Sequence, residues 1–479
     1  MRKALLLFIV FAAVLTACRR DRVFEGKATL AFSTDTVFFD TVFTTVGSIT
    51  ERLKVYNPYD KTLEINHIYV ENGAGSNFKL NVDGVKGQEV RGIQIAPFDS
   101  IFVFVEVTVD PNGGNTPMIL EEDLVFVTDQ NTQQVKMVAW GQDVYFYPSI
   151  SFGDGNGDGL GDPWELPTDK PIVFYGYSLV DTGAVLTIPC GAQVHFHANS
   201  GLIVGHQASL QIIGCQEDPV VIQGDRLEDF FEEGAGQWGQ LYGGIYLTQT
   251  SIDNYINHAI IKNGTVGIIV DSNTNENPTL TIENTQILNM SYSGIIGQDA
   301  RIVGNNLVVA NCGHHAVALR YGGQYDFNHC TFANYWSGNP RSRSVLLVNN
   351  YFEVGSKTYV RDLMAHFDNT IVYGNLDEEV NIDIDDSEAF DYFFDHCVLK
   401  RDTTADDPLY FSSIVLNPVS PVVDGQQFDP LFQDVSEGFN LSEVSKAKDA
   451  GKVTALMVDI EGNARDGSPD IGAYEYLPE

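Results

Sequence analysis

The sequence predicts an all-β protein in which an N-terminal β-sandwich is followed by a right-handed parallel β-helix. Two observations carry this prediction. Residues 27–146 contain short runs of alternating apolar and polar residues between turns, which is typical of sandwich strands. Farther along, one seven-residue pattern recurs at intervals of 19 to 27 residues, as expected of a solenoid in which each coil repeats the one before.

The charge balance limits the partners that the protein can have. The chain has 479 residues, too many for one ordinary core, and carries 28 Lys and Arg against 64 Asp and Glu, a formal net charge of −36. Such a surface repels phosphate backbones and argues against nucleic acid as a partner. Cations and polar sugars are compatible with it, and so is a surface selected for solubility alone.

The N-terminus has the pattern of a bacterial secretory signal. "MRKALLLFIVFAAVLTAC" starts with two basic residues, continues with a short apolar run and ends in small residues. Its end, "LTAC", resembles the lipobox of bacterial lipoproteins. The resemblance implies loss of residues 1–17, a lipid on Cys18 and a tether of residues 18–26. We therefore expect an outer-membrane lipoprotein on the cell surface or the periplasmic face; an uncleaved anchor is the alternative.

Three segments of the predicted sandwich carry a second resemblance. They are "VYNPYDKTLEI" (55–65), "IAPFDSIFVFV" (95–105) and "WGQD" (140–143). Their order resembles immunoglobulin-like modules of periplasmic and ciliary proteins. Such modules commonly serve as spacers or docking units, which the resemblance implies for residues 27–146.

The repeated pattern defines the predicted solenoid, residues 171–435. In each segment the third and fifth positions share one side of a strand and are mostly apolar or small, so they predict columns in a continuous core. Glu353 is the clear exception. The segments are "NHAIIKN" (257–263), "ENTQILN" (283–289), "NNLVVAN" (305–311), "NHCTFAN" (328–334), "NNYFEVG" (349–355), "DNTIVYG" (368–374) and "DHCVLKR" (395–401).

The seventh position of four consecutive segments holds the same amide residue. A single buried Asn would leave hydrogen bonds unmet, whereas stacked amides can pair with one another along the axis. Such a column resembles the Asn ladder found at a turn of right-handed parallel β-helices. We expect a structural role for its members, Asn263, Asn289, Asn311 and Asn334, and for the recurrent His258, His329 and His396.

A second series of apolar segments predicts an exposed row beside it. The series runs from "GLIV" (201–204) to "VLLV" (345–348). One acid and one base, Asp271 and Arg320, follow these segments two coils apart and are the candidate ligand contacts. The whole row reads Gly205, Thr248, Asp271, Gln298, Arg320 and Asn349. The outward third positions of the same strands are apolar and predict cover by another element.

The C-terminal "DIEGNARDGSPDIGAYEY" (459–476) resembles the tail that closes many bacterial β-helix surface proteins. Residues 436–479 are therefore expected to form the last coil and a cap. With the signal, the sandwich, "HFHANSGLIV", "GQWG" and "HCTFANYW", the chain resembles the right-handed parallel β-helix lipoproteins of Gram-negative anaerobic bacteria, which have a pectate-lyase-like solenoid.

The linker, residues 147–170, contains a candidate calcium loop, "DGNGDGLGDPWE". Oxygen ligands fall at positions one, three, five, nine and twelve with Gly159 at position six, which resembles the EF-hand loop. Pro163 departs from that pattern and disfavours paired helices. A flexible turn is the alternative. The expected ligands of a structural calcium ion are Asp154, Asn156, Asp158, Asp162, Glu165 and the carbonyl of Leu160.

The other reactive side chains give weaker signals. Without the lipid-site cysteine, five cysteines remain, which excludes a fully paired set. Buried free thiols are preferred, and only Cys190 with Cys215 is a candidate bridge. His195 and His197 share a strand face but lack a third metal ligand at a useful spacing. The acidic run 377–391 is interpreted as a solvated loop.

The preferred function is non-catalytic binding or scaffolding at the cell envelope, with a glycan or an envelope protein as the ligand. β-Helices also host polysaccharide lyases and glycoside hydrolases, but the fold alone is an analogy, and the paired carboxylates of such enzymes are not evident. A carbohydrate-active enzyme using Asp271, Arg320 and either Asp225 or Arg226 is the first alternative. A structural component of a surface assembly is the second.

Overall fold

The computed structural model describes residues 23–111, 118–227, 234–272, 277–402, 407–420, 422–423, 426–427, 429–436 and 438–478. Within them every regular element is a strand except one 3-10 turn, Gly73–Gly75, so the all-β prediction is confirmed. No helix in this part of the chain could cross a bilayer. The chain divides into two compact units, Met1–Asp143 and Val144–Glu479. Cys18 lies outside the described residues.

The described residues of the first unit form ten strands in two sheets. One sheet has the order β1-β3-β8-β5-β6 and the other β2-β10-β9-β4-β7. The strands are β1 (Ala31–Phe32), β2 (Thr36–Phe43), β3 (Glu51–Tyr56), β4 (Leu63–Val70), β5 (Phe78–Val82), β6 (Val85–Gly87), β7 (Glu89–Ile95), β8 (Ser100–Val107), β9 (Met118–Val127) and β10 (Thr132–Gln142).

Alternation along these strands produces the core between the two sheets. In β8, Ile101, Val103, Val105 and Val107 are buried, while the residues between them are more exposed. They join one apolar cluster with residues of the other sheet, such as Phe126. The predicted sandwich therefore forms from period-two patterning. Its resemblance to immunoglobulin-like modules stays a prediction.

The strands described in the second unit mainly form a parallel stack, and the remaining ones form two antiparallel pairs. They are β11 (Tyr145–Pro148), β12 (Ser151–Phe152), β13 (Pro163–Glu165), β14 (Ile172–Tyr175), β15 (Tyr177–Val180), β16 (Val185–Pro189), β17 (Gln193–Phe196), β18 (Gly201–Val204), β19 (Ser209–Ile213), β20 (Val220–Gly224), β21 (Ile245–Leu247), β22 (Asn254–Asn257), β23 (Ala259–Lys262), β24 (Val266–Val270), β25 (Leu280–Leu288), β26 (Ser293–Ala310), β27 (Val317–Asn328), β28 (Thr331–Asn334), β29 (Leu346–Asn349), β30 (Tyr351–Val354), β31 (Lys357–Val360), β32 (Leu363–Asp368), β33 (Ile371–Gly374), β34 (Val380–Asp383), β35 (Phe390–Asp395), β36 (Val398–Leu399), β37 (Phe411–Ser412), β38 (Val415–Leu416), β39 (Val422–Val423) and β40 (Gln426–Gln427).

Most strands of the stack pair in parallel with the third strand farther along, so three short strands make one coil. β11, β12 and β13 pair with β14, β15 and β16 in this way. The segment 147–170, expected as a linker, therefore belongs largely to the first coil. The reason is that its apolar residues, including Phe152 and Leu166, continue the solenoid core.

The repeated segments form one side of the coils, with a single correction. Their third and fifth positions are buried in the core, as Thr285, Ile287, Cys330 and Phe332 illustrate. "NNYFEVG" (349–355) does not belong to this series, because β28 pairs directly with β33. Residues of this segment instead form an antiparallel hairpin, β30–β31, which explains the exposed Glu353.

Three of the predicted ladder residues directly follow a strand and Asn334 is the last residue of β28. These strands are paired in register: β23 with β25, β25 with β26, and β26 with β28. Asn289 Nδ2 donates to Asn263 Oδ1 at 2.8 Å. Asn311 Oδ1 instead accepts from the Tyr335 amide at 3.1 Å, and Asn334 Nδ2 donates to the Cys312 carbonyl at 2.7 Å. The amide column thus changes from side-chain pairing to backbone contacts along the stack.

The C-terminal tail packs along one side face of the stack. Outward-facing residues of β26, β28, β33 and β36 form an apolar cluster with tail residues that include Leu441, Ile471 and Tyr474. The Ala473 amide donates to Thr331 Oγ1 at 3.0 Å and the Gly472 amide to the Asn369 carbonyl at 2.9 Å. Residues 438–478, expected to belong to a last coil and cap, contain no strand and cover an apolar side face. Closure of the last coil by this segment stays a prediction.

Cys190 and Cys215 form a disulfide, with their Cα atoms 5.4 Å apart. Cys312, Cys330 and Cys397 are buried free thiols, and burial raises the pKa of Cys312 and of Cys330 to about 12. The preference for free thiols therefore holds for these three residues. It is wrong for the pair that the sequence marked as a candidate bridge.

Candidate ligand site

One polar residue per coil forms a straight row on the outside of the stack. Each follows an inward-facing apolar residue, and the register aligns the strands β24, β26, β27, β29 and β34. Neighbouring members lie about 4.8 Å apart, the spacing of paired strands. The members of this polar row are Asp271, Gln298, Arg320, Asn349 and Asp383.

The row lines a cavity of about 660 Å³, here called the row cavity. Its walls bring the two residues predicted to contact a ligand, Asp271 and Arg320, into one site. Two further lining residues, Gln298 and Asn349, belong to the row that the sequence predicts. The sequence pattern does not identify Asp383, which falls in the acidic run interpreted as a solvated loop. It also gives no signal for several others, which include His315, Tyr321, Arg343, Tyr351 and Phe352.

Tyrosine hydroxyl groups hold both acids of the row. Tyr246 donates to Asp271 Oδ2 at 2.9 Å, and the Ser272 amide donates to Asp271 Oδ1 at 2.9 Å. Burial and this bond to Asp271 raise the pKa of Tyr246 to about 12. Tyr351 contacts both Asp383 oxygens at 3.0 Å, and this hydrogen bond is the main cause of its raised pKa. Both carboxylates are therefore fixed by protein donors.

The amide of Asn349 places the aromatic wall of the cavity. Its Oδ1 accepts from the backbone amides of Tyr321 at 3.4 Å and Tyr351 at 3.2 Å. Tyr321 adopts a left-handed backbone, φ 62°, and its ring meets Phe352 edge to face with centroids 4.4 Å apart. Phe352 is 40% exposed. The hairpin therefore presents an accessible ring beside polar groups.

A buried ion pair anchors the loop that carries Arg343. Arg341 Nη2 lies 2.5 Å from Glu379 Oε1, and both side chains are almost fully buried. Arg341 Nη1 also donates to the Arg343 carbonyl at 2.6 Å. His315 Nδ1 lies 2.7 Å from the Ser344 carbonyl, and burial lowers the His315 pKa to about 4. The loop is thus held on both sides of Arg343.

A second cavity, about 690 Å³, has four acidic and two basic side chains among its lining residues and is called the acidic cavity. Its walls include Asp299, Arg361, Asp362, Glu388 and Asp391. Burial raises the pKa of Asp299; Arg361 opposes this, whereas the charges of Asp271 and Asp362 add to it. Asp299 is therefore a carboxyl that retains its proton to a higher pH than a solvated aspartate.

Other candidate residues lie elsewhere. Asp225 pairs with His197, with Oδ2 and Nδ1 2.6 Å apart, and neither it nor Arg226 lines the row cavity. His195 is buried, with Nδ1 3.0 Å from the Gly224 carbonyl. In the described part of the chain, no three His, Cys, Asp or Glu side chains are grouped to hold a metal. These residues serve packing and pairing.

The carboxylates of the candidate calcium loop accept hydrogen bonds from backbone amides of the same loop. Asp154 accepts from the amides of Gly157 and Gly159, both at 2.6 Å, and the Gly159 bond is the main cause of its lowered pKa. Asp162 accepts from the Gly155 amide at 2.8 Å and from Asn156 Nδ2 at 2.9 Å. The conformation described here directs these carboxylates to amide donors and does not gather them around one point. Calcium binding stays a prediction.

No family model and no curated protein matches the chain. Among solved structures, it is similar to a GH87 α-1,3-glucanase of Streptomyces thermodiastaticus, with 10% identity, TM-score 0.22, and coverage of 77% of this chain and 68% of that chain. It is also similar to a family 123 glycoside hydrolase of Clostridium perfringens, with 7% identity, TM-score 0.19, and coverage of 25% of this chain and 30% of that chain. A third similar structure is a protein of unknown function from Porphyromonas gingivalis, with 11% identity, TM-score 0.17, and coverage of 26% of this chain and 58% of that chain. The chain thus spans less than two thirds of the last two, and at these TM-scores the similarities carry no argument about function.

Proposed function

We propose that the chain is a non-catalytic glycan-binding protein of the bacterial cell envelope, anchored by a lipid on Cys18. The row cavity is the observation that carries this proposal. Its size is that of a small-ligand site, and it combines an aromatic wall with fixed hydrogen-bonding groups. Sugars present both apolar ring faces and hydroxyl groups, so they match this combination. The Cys190–Cys215 disulfide supports an extracytoplasmic location.

The proposal keeps several expectations from the sequence. It takes the coils as right-handed, which parallel crossover connections strongly favour, and the sandwich as an immunoglobulin-like spacer. Calcium at Asp154–Glu165 would stiffen the first coil. We expect calcium to raise the melting temperature of chelated protein and to protect the chain from proteolysis near Gly157. No change in either would remove calcium from the proposal.

Binding can be tested with the full chain in detergent and a panel of neutral and acidic oligosaccharides. We expect Phe352→Ala to weaken binding by about tenfold, because the ring supplies apolar contact beside the polar row. Val354→Ala is the matched control: Val354 lies on the same hairpin, is exposed, and does not line the cavity. Equal affinity of the two variants would contradict binding here. A stable protein partner without glycan binding would favour the surface-assembly alternative.

A carbohydrate-active enzyme is the second candidate, favoured by the raised pKa of Asp299, which suits a general acid. The two acids of the row cannot act as the pair, because four coils separate them by about 19 Å, and glycosidase carboxyls lie about 5 to 9.5 Å apart. A pair would instead join Asp299 with Asp271 or Asp362, the two acids whose charges help to raise its pKa. Release of reducing or unsaturated ends, abolished by Asp299→Asn but not by Asp60→Asn on the other unit, would establish catalysis.

A further inference from the structure

The charged side chains around the row cavity differ in whether all their polar atoms have hydrogen-bond partners. Asp271 and Asp383 accept hydrogen bonds from tyrosine hydroxyl groups. Arg320 donates from Nη2 to Gln298 Oε1 at 2.8 Å, but its Nε is buried and has no partner in the described structure. A buried donor without an acceptor destabilises the folded protein, and more so when it belongs to a charged group. The guanidinium is thus held by one side-chain hydrogen bond, and its Nε–H remains without an acceptor.

A second guanidinium lines the same cavity. The Arg343 side chain forms no ion pair or hydrogen bond with the residues that the structure describes, although its carbonyl is held by Arg341. The buried Arg341–Glu379 pair fixes the backbone at this point, so the position of Arg343 is not left to a free loop. Two cations therefore line one cavity without an ion pair to the described acids, although Asp271 and Asp383 line the same cavity.

Arginine charges also affect the pKa values of two neighbouring histidines, His314 and His315. Burial is the main cause of the lowered pKa of His314, and the charges of Arg343 and Arg320 lower it further. For His315 the smaller causes include Arg343 and Arg341. These arginine charges act beside the cavity on a chain whose formal net charge is −36. An anionic group placed next to both guanidinium groups would be attracted to them, whereas acidic side chains dominate the composition of the chain.

We infer that the glycan bound at the row cavity is acidic and that a sugar carboxylate is held by Arg320 and Arg343. The inference rests on the proposed glycan binding and specifies its ligand class. A planar guanidinium matches a carboxylate through two parallel hydrogen bonds, which also adds geometric selectivity. The fixed acids of the row and Asn349 are left to contact sugar hydroxyl groups.

The test compares oligomers of galacturonic and glucuronic acid with neutral oligomers of galactose and glucose, and with a sulfated oligosaccharide, by calorimetry on the full chain. We expect at least about tenfold preference for the carboxylated oligomers, from one charge-assisted hydrogen bond or more.

Arg320→Gln should abolish this preference and Arg320→Lys should restore it in part, because lysine keeps the charge without the planar fork. The exposed Arg343→Gln should reduce it even if an Arg320 variant folds poorly. Arg91→Gln, on the other unit, is the charge-matched control.

The outcomes separate the two proposals. Equal affinity for neutral and acidic oligomers, equal affinity for the sulfated one, or a preference that survives both Arg320→Gln and Arg343→Gln would overturn the carboxylate assignment and leave glycan binding standing. Absence of binding to every oligomer would instead overturn the proposed function itself.

Discussion

Residues at the second position of the repeated segment share a left-handed backbone. This conformation costs most L-residues about 1–2 kcal/mol, and Asn tolerates it best. The asparagines also pair along the stack: Asn284 Nδ2 donates to Asn257 Oδ1 at 2.9 Å, and Asn306 Nδ2 donates to Asn284 Oδ1 at 3.0 Å. Both backbone and neighbours therefore select the residue type. The φ values are 47° for His258, 43° for Asn284, 48° for Asn306, 51° for His329, 46° for Asn369 and 51° for His396.

Asn284→Ala should destabilise the solenoid by about 2–4 kcal/mol, because it loses two amide hydrogen bonds and places alanine in a left-handed conformation. Asn284→Gly should cost less, since it removes only the amide bonds. Chemical unfolding measures both. Asn199→Ala is the control: Asn199 has φ 57° but is exposed, so only the backbone preference is lost. Equal losses for Asn284→Ala and Asn199→Ala would mean that the amide pairs contribute nothing.

The sequence could predict part of the candidate site. Asp271 and Arg320 were identifiable because each directly follows an apolar strand segment at a regular interval. Asp383 occupies the same row but was missed, because the β30–β31 hairpin lengthens its coil and hides the period. Arg343 comes from a loop, where no periodic signal exists, and only its fixed backbone brings it to the cavity.

At the scale of elements, the tail explains an apolar face that the repeats already contained. The fourth and sixth positions of several segments point outward and are apolar, among them Val308, Ala310, Ile371 and Tyr373. An outward apolar face needs cover, so a covering element was predictable in principle. Its identity was not, because the described residues 438–478 contain no strand and therefore give no periodic pattern to read.

Lys452 joins this tail to two coils. Asp368 and Asp395 are partners in register, and Lys452 Nζ lies 2.7 Å from a carboxylate oxygen of each. Lys452→Met should weaken docking of the tail by about 1 kcal/mol at low salt, because partly exposed pairs contribute little and two acids would then face each other. Faster hydrogen exchange at the Gly451 and Gly472 amides, with unchanged exchange in the coils, is the expected result.

The control for the docking prediction is Lys448→Met. Lys448 lies on the same tail, with Nζ 4.0 Å from the centre of the Tyr476 ring. It forms no ion pair with the acids that the structure describes. Exchange rates that rise equally in the Lys448 and Lys452 variants would show that the two carboxylates do not hold the tail.

At the scale of the whole molecule, the solenoid buries several titratable rings that its unfolded chain would expose to water. Burial lowers the pKa of His195 to about 4, that of His315 to about 4 and that of His329 to about 3. His195 and His315 lie close to backbone carbonyls, whereas His329 Nε2 lies 2.8 Å from Asn369 Nδ2 beside the tail. Each ring is therefore neutral in the folded protein over a range where it is charged after unfolding.

This difference fixes the sign of the pH dependence. Below about pH 6.5 the unfolded chain binds protons at these rings and the folded protein does not, so the free energy of unfolding should fall as the pH is lowered towards 4. One ring whose pKa drops from 6.5 to about 4 contributes a loss of roughly 3 kcal/mol by pH 4. Denaturant unfolding between pH 7 and 4 measures the slope, which His195→Gln should reduce. Replacement of the half-exposed His366, which lies 3.1 Å from Asp391, is the control. A slope that is the same in His195→Gln, His315→Gln and His329→Gln as in the unaltered protein would show that burial of these rings does not set the acid stability of the solenoid.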